Sequence, residues 1–179
     1  VCSSDLHLLV AKIRCARMVA PSNKRVDIPI DNGFVGMVDR DVFDEWLRER
    51  AATHGATRLT ARFDHLDRDA QGQLHVHVHT TDAQGHEVAQ VVSARVVIGA
   101  DGAKSQVAKQ AIEDAHKTRY VFAYHEILQA PETTPGYDAQ RCDVYYQGHL
   151  SPDFYGWVFP HGGTMSVGTG SADKGFSLR

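Results

Sequence analysis

Tyr155, Trp157 and Phe159 stand two residues apart in the run Pro152-Asp153-Phe154-Tyr155-Gly156-Trp157-Val158-Phe159-Pro160. In an extended strand side chains alternate between faces, so the three rings would line one side while Gly156 and Val158 occupy the other. On periodicity alone the run reads as an ordinary half-buried strand, with a ligand wall as the alternative. A second candidate is Asp101 in Val96-Val97-Ile98-Gly99-Ala100-Asp101-Gly102. Gly99 and Gly102 allow close approach of the backbone to a ligand, and the carboxyl end of a strand is where nucleotides bind in open α/β sheets. Arg40 is the third, at the start of a helix, where unpaired N–H groups and the helix dipole favour a phosphate. His75, His77 and His79 alternate with Leu74, Val76 and Val78. Their shared face could offer imidazoles to zinc or copper. No neighbouring Cys or Glu completes a set, so the expectation is the solvent face of a hairpin and no metal.

These residues need elements to hold them. The later part of His7 to Ala20 alternates well enough for a strand, Pro21-Ser22-Asn23-Lys24 is a turn cluster, and Arg25 to Ile30 reads as its hairpin partner. Asp39 to Gly55 carries Val42, Phe43, Trp46, Leu47 and Ala51 on one helical stripe, with Asp39 or Asp41 to cap it and Gly55 to end it. Ala56 to Phe63 is expected as a strand, Leu74 to Val92 as a hairpin, and Ser93 to Ile98 as a buried strand entering the glycine turn. Ala103 to Ile112 follows as a helix. From Arg119 onward the pattern is a meander of antiparallel strands, with the aromatic run among them. Gly168-Thr169-Gly170 is no dinucleotide fingerprint, because the third glycine is missing and Lys174-Gly175 would interrupt the helix that must follow.

The bulk numbers exclude several classes. At 179 residues the chain can bury one good core or parts of two. A net charge of -3 and an isoelectric point near 6.4 leave no basic footprint for nucleic acid. Mean hydropathy is -0.33 and no apolar run is long enough to span a bilayer. Cys2, Cys15 and Cys142 are odd in number and far apart, which fits a reduced, intracellular protein. Val1 to Leu6 resembles a translated adapter scar and is set aside. Both termini read as cut.

The spelling of the motifs carries a resemblance. Val-Val-Ile-Gly-Ala-Asp-Gly-Ala-x-Ser-x-Val-Ala resembles the Asp-Gly motif of the FAD-dependent hydroxylase and reductase superfamily. Pro-x-x-Tyr-x-Trp-x-Phe-Pro resembles the substrate-cavity motif of the geranylgeranyl reductases. With Val38-Asp39-Arg40-x-x-Phe43-Asp44-x-x-Leu47, Tyr124-His125-Glu126-Ile127 and Arg141-Cys142-Asp143-Val144, His7 to Arg179 is similar to the bacterial geranylgeranyl diphosphate and geranylgeranyl-(bacterio)chlorophyll reductase family.

That resemblance implies an α+β fold: an incomplete FAD-binding domain of the α/β flavin type over residues 7–113, containing a hairpin of the substrate domain, and an antiparallel substrate sheet over 114–179. It implies FAD and NADPH as cofactors. The substrate would be an isoprenoid or a (bacterio)chlorophyll ester, hydrogenated from geranylgeranyl to phytyl. Pro152, Tyr155, Trp157, Phe159 and Pro160 would bind substrate, and Arg40, Gly99, Asp101 and Gly102 the cofactor. No catalytic residue is assigned; Tyr155, His125 and His161 are the proton-donor candidates. Cytoplasmic placement is expected, with peripheral contact to a photosynthetic membrane left open. The sequence holds no Gly-x-Gly-x-x-Gly unit, so the chain alone is expected to bind FAD weakly and to lack activity. Two alternatives stay open: an aromatic hydroxylase of the same superfamily, and a non-enzymatic lipid- or metal-binding module.

Overall fold

Alternation of apolar and polar residues, more than helix propensity, sets the architecture. The computed structural model describes residues 3–177, and it is a sheet-dominated α+β structure divided into two units. Val1 and Cys2, part of the segment set aside, lie outside the described residues, as do Leu178 and Arg179.

The first unit combines residues up to His54 with those from Val121 onward. Its centre is a six-stranded sheet, taking β1 as Leu9–Ile13, β2 as Cys15–Val19, β3 as Arg25–Pro29, β4 as Val35–Val38, β8 as Phe122–Gln129, β9 as Arg141–Tyr145, β10 as Gly156–His161 and β11 as Thr164–Ser171. The order is β3-β2-β9-β10-β11-β8. The β2–β3 hairpin expected from sequence is present, and β2 joins β9 in parallel register, Arg17 opposite Asp143. All other pairs in the sheet are antiparallel. β1 and β4 form a separate two-stranded ribbon. Ile13, Pro160 and Ser171 are the most completely buried side chains. Pro160 lies inside β10 rather than at its end, just past Val158, where the β9 ladder stops. A residue without an N–H costs nothing there.

Helix α1 runs Arg40–Thr53. Asp39 occupies its N-cap without a side-chain cap bond, and the backbone turns out through Gly55 at φ +96°. The expected apolar stripe is only half-covered: Phe43 stacks on Trp46 at 6.0 Å, whereas Val42 and Leu47 stay exposed.

The second unit is residues 55–120. It holds a three-stranded antiparallel sheet of β5 (Arg62–Arg68), β6 (Leu74–Thr81) and β7 (Glu87–Ala94), followed by α2 (Gln106–Ala111). Two sequence expectations are corrected here. The strand placed at 56–63 begins only at Arg62, where its ladder with β6 starts opposite His79. The buried strand expected at 93–98 ends at Ala94, leaving Val96 74% and Ile98 86% exposed. Among the described residues no neighbouring strand pairs with this segment, and an apolar run without a ladder partner satisfies its backbone with water instead. No helix among the described residues is long and apolar enough to cross a membrane.

Cys142 sits within β9 between two buried residues, and burial pushes its thiol up to about 11. Since the thiolate is the nucleophile, iodoacetamide at pH 8 is expected to modify Cys142 about a hundredfold more slowly than an exposed thiol. Mass spectrometry of the labelled peptide checks this, and labelling at the exposed-thiol rate contradicts it.

Candidate functional site

The aromatic wall forms as its spacing dictates. Tyr155 meets Trp157 edge-on at 6.0 Å, Trp157 stacks on Phe159 at 6.0 Å, and Phe154 stacks on Tyr155 at 4.1 Å. Register extends this face across the whole sheet. Trp157 is opposite Val144 on one side and Gly168 on the other; Gly168 is opposite His125, and Ser166 opposite Ile127. At the far edge Val26 and Ile28 continue the same face, 61% and 47% exposed, as Ile127 does at 58%. The result is an apolar surface with a ring wall along its centre.

One polar device fixes the wall. The indole Nε1–H of Trp157 donates to Ser166 Oγ at 3.1 Å, and Ser166 Oγ lies 3.0 Å from His125 Nδ1. The hydroxyl oxygen accepts from the indole, and its second lone pair and its own hydrogen let it pair with Nδ1 in either imidazole tautomer. Gly168 makes room for the arrangement, since a Cβ there would stand 2.5 Å from Trp157 Cζ2 and 2.6 Å from the Tyr124 carbonyl oxygen. Ser166 and Gly168 were not singled out as site residues from sequence; a glycine opposite a tryptophan becomes a signal only once strand pairing is known.

The opposite face differs. A cavity of about 360 Å³ is lined mainly by Tyr124, Tyr145, Leu150, Gly156, Val158 and Val167, and of the wall residues only Trp157 borders it. Pro160 is completely buried and Pro152 is exposed ahead of β10. Further along this face Arg17 pairs with Asp27 at 2.6 Å and Arg141 with Asp143 at 2.6 Å. Both guanidiniums border a wide polar groove formed with residues 131–139, but their aspartates already neutralise them. His161, the other donor candidate, faces Asp39 at 3.4 Å.

The cofactor candidates fall in both units. Arg40, in the first, is committed to Asp44 through two bonds of 2.7 and 2.8 Å, which raise its pKa and hold the Asp44 carboxylate below its ordinary value. An anion at Arg40 would have to displace that exposed pair. In the second unit Asp101 turns into its own helix. Its Oδ1 accepts from Ser105 Oγ at 2.5 Å and its Oδ2 from the backbone N–H of Gln106 at 2.6 Å and Val107 at 3.3 Å. The Ser105 bond is the first cause of its lowered pKa. Ser105 caps α2 as well, through Ala108 N–H at 2.9 Å. Asp101 therefore braces the turn, and what the turn can present outward is backbone. Gly102 has φ +83° with open space where a side chain would stand, while at Gly99 a Cβ would come within 2.9 Å of Val107. The first glycine exposes the turn and the second lets α2 pack against it.

Comparison with known proteins adds to this geometry. A family model described as FAD binding domain matches residues 13–168. The chain is 56% identical over 173 residues to a geranylgeranyl diphosphate reductase of Rhodobacter capsulatus, covering 97% of this chain and 43% of that protein. It is 35% identical to a chloroplastic geranylgeranyl diphosphate reductase of Arabidopsis thaliana, covering 93% and 37%. The chain thus spans less than half the length of these curated relatives. Among solved structures the flavin-dependent brominase Bmp2 superposes with a TM-score of 0.66 at 15% identity, covering 95% of this chain and 42% of that one. At that identity the likeness is one of fold.

Proposed function

We propose, since this chain belongs to the FAD-binding domain family, that it is part of an FAD-dependent reductase using NADPH to hydrogenate a geranylgeranyl chain to phytyl in (bacterio)chlorophyll biosynthesis. The observation that carries the reading is the ring wall of Tyr155, Trp157 and Phe159 on an exposed apolar sheet face. The identity to geranylgeranyl diphosphate reductases supports it.

Reduced FAD, when bound, supplies the hydride; the chain's own residues supply position and protons. An unactivated alkene must be held still and dry, and flat aromatic faces do both while tolerating the positive charge that develops at carbon. Ser166 locks the indole of Trp157, so the wall is organised before substrate arrives. His125, anchored through Nδ1 to the same hydroxyl beside the ring wall, is the donor this geometry favours over His161, which faces Asp39. Within residues 55–120 the open backbone at Gly102, backed by Gly99 and braced by Asp101, fits close approach of a cofactor, and Arg40, in the first unit, is a separate phosphate candidate once Asp44 is displaced. The six-stranded unit carries the ring wall and Arg40, and residues 55–120 carry the glycine turn.

A chimera tests this directly. The matched segment of the Rhodobacter capsulatus reductase is replaced by this chain, and the purified protein is assayed for bound flavin and for NADPH-dependent saturation of geranylgeranyl diphosphate and its chlorophyll ester. Turnover of at least one substrate is expected. Trp157→Ala should raise its KM by about tenfold, equivalent to about 1.4 kcal/mol, with flavin content unchanged. A flavin-loaded chimera that leaves the chain unsaturated overturns the reading.

A further inference from the structure

The histidine face of the three-stranded sheet holds more than the sequence spacing offered. β5 carries a bulge between Phe63 and His65, so that His65 pairs with His77 while Phe63 pairs with Val78 and Leu66 with Val76. In a regular strand Phe63 and Leu66, three apart, would point to opposite faces. The extra residue, Asp64, returns both to the apolar face and swings His65 and Asp67 onto the face of His75, His77 and His79.

We propose that His65, Asp67 and His77 form a binding site for a divalent transition-metal ion of the zinc type. A ligand atom of each lies within 4.8 Å of the other two. The His65 and His77 rings stack at 3.9 Å and 10°. His77 Nε2 is 3.0 Å from Asp67 Oδ2, so the ion takes the place of the proton these two atoms now share. His65 Nδ1 is 3.0 Å from Asp64 Oδ2. That contact puts the ring proton on Nδ1 and the lone pair on Nε2, and a carboxylate behind a ligating imidazole is the arrangement that orients it and raises its basicity. Two imidazoles and a carboxylate with water in the fourth position satisfy tetrahedral zinc, and bringing atoms 4.8 Å apart onto bonds of about 2.0–2.2 Å requires only side-chain rotation on an exposed face. The other two histidines have separate partners: His75 is 3.3 Å from Asp69, and His79 is 3.6 Å from Asp64 and 3.8 Å from Glu87. They are expected to stand outside the ligand set.

The test is titration of the purified chain with Zn²⁺ by calorimetry and with Co²⁺ by visible absorption. One ion per chain is expected, with the Co²⁺ bands of a tetrahedral site. His65→Asn, Asp67→Asn and His77→Asn should each weaken binding at least about tenfold, Asp64→Asn several-fold, and His75→Asn less than twofold. Far-UV circular dichroism checks that each variant stays folded; should His77→Asn unfold, Asp67→Asn carries the test, because it keeps size and removes charge. No saturable binding, or loss on His75→Asn equal to that on His77→Asn, overturns the proposal.

Discussion

Gly168→Val is expected to lower the melting temperature by roughly 6–12 °C and to disorder the ring wall. The added Cβ would stand 2.5 Å from Trp157 Cζ2, 2.6 Å from His125 Cβ and 2.6 Å from the Tyr124 carbonyl oxygen. The indole can swing aside, but Tyr124 O belongs to the backbone of β8 and is fixed by the register that pairs Tyr124 with Thr169. Overpacking costs about 1–3 kcal/mol, and with an immovable neighbour and a β-branched side chain the upper end applies; at about 2–4 °C per kcal/mol for a chain of this size the shift follows. Trp157 also loses its bond to Ser166, so the near-ultraviolet circular dichroism of the indole should change and the chimeric reductase should lose most of its turnover. Gly148→Val is the control: no atom lies within 4 Å of a Cβ there, and its melting point should move by less than about 1 °C. Equal shifts at the two positions would mean that Gly168 is not holding space for the wall.

What sequence could and could not reveal follows from the range of the interactions. The face shared by Tyr155, Trp157 and Phe159 is local, a consequence of strand periodicity, and was readable. The β2–β3 hairpin is equally local. Pairing of β2 with β9 joins residues more than 120 positions apart, Arg17 with Asp143 among them, and no local pattern announces it. Gly168 drew attention only as half of a false dinucleotide motif, because its reason for being glycine lies on two neighbouring strands. The bulge in β5 decides that His65 and Asp67 share the face of His77, and local alternation does not announce a bulge. The Arg40–Asp44 pair, by contrast, stood four apart on a helix and could have been found from spacing alone. The expected strand at 93–98, which ends at Ala94, is the reverse case: its composition is right for burial, but composition does not supply the neighbour that makes a strand. Asp101 was legible as a turn residue, and the structure gives its oxygens to α2.

On the other face of the sheet, Asp143→Ala should be among the most damaging single changes in the first unit, whereas the double replacement Arg141→Met with Asp143→Leu should be nearly harmless. Arg141 and Asp143 are 9% and 11% exposed. Arg141 Nε donates to Asp143 Oδ1 at 2.6 Å, and one of its terminal nitrogens reaches Asp143 Oδ2 at 3.2 Å and the Gly136 carbonyl at 2.6 Å. Removing the carboxylate leaves Arg141 buried near the guanidinium of Arg17, which stands opposite position 143 across β2 and β9, with Asp138 at 3.6 Å as a remaining acidic contact. Breaking a buried pair from one side costs about 3–5 kcal/mol, while replacing both partners by apolar groups of similar volume is often neutral or favourable. Urea unfolding at constant m-value should therefore show a midpoint loss for Asp143→Ala that the double variant restores to within about 1 kcal/mol, a coupling that a double-mutant cycle measures directly. Because Tyr145 reaches Asp143 at 3.4 Å and also lines the apolar cavity, the single variant should loosen that cavity as well. If Asp143→Ala costs less than about 1 kcal/mol, the pair is solvated in solution and the charged face contributes little to holding β9 in the centre of the sheet.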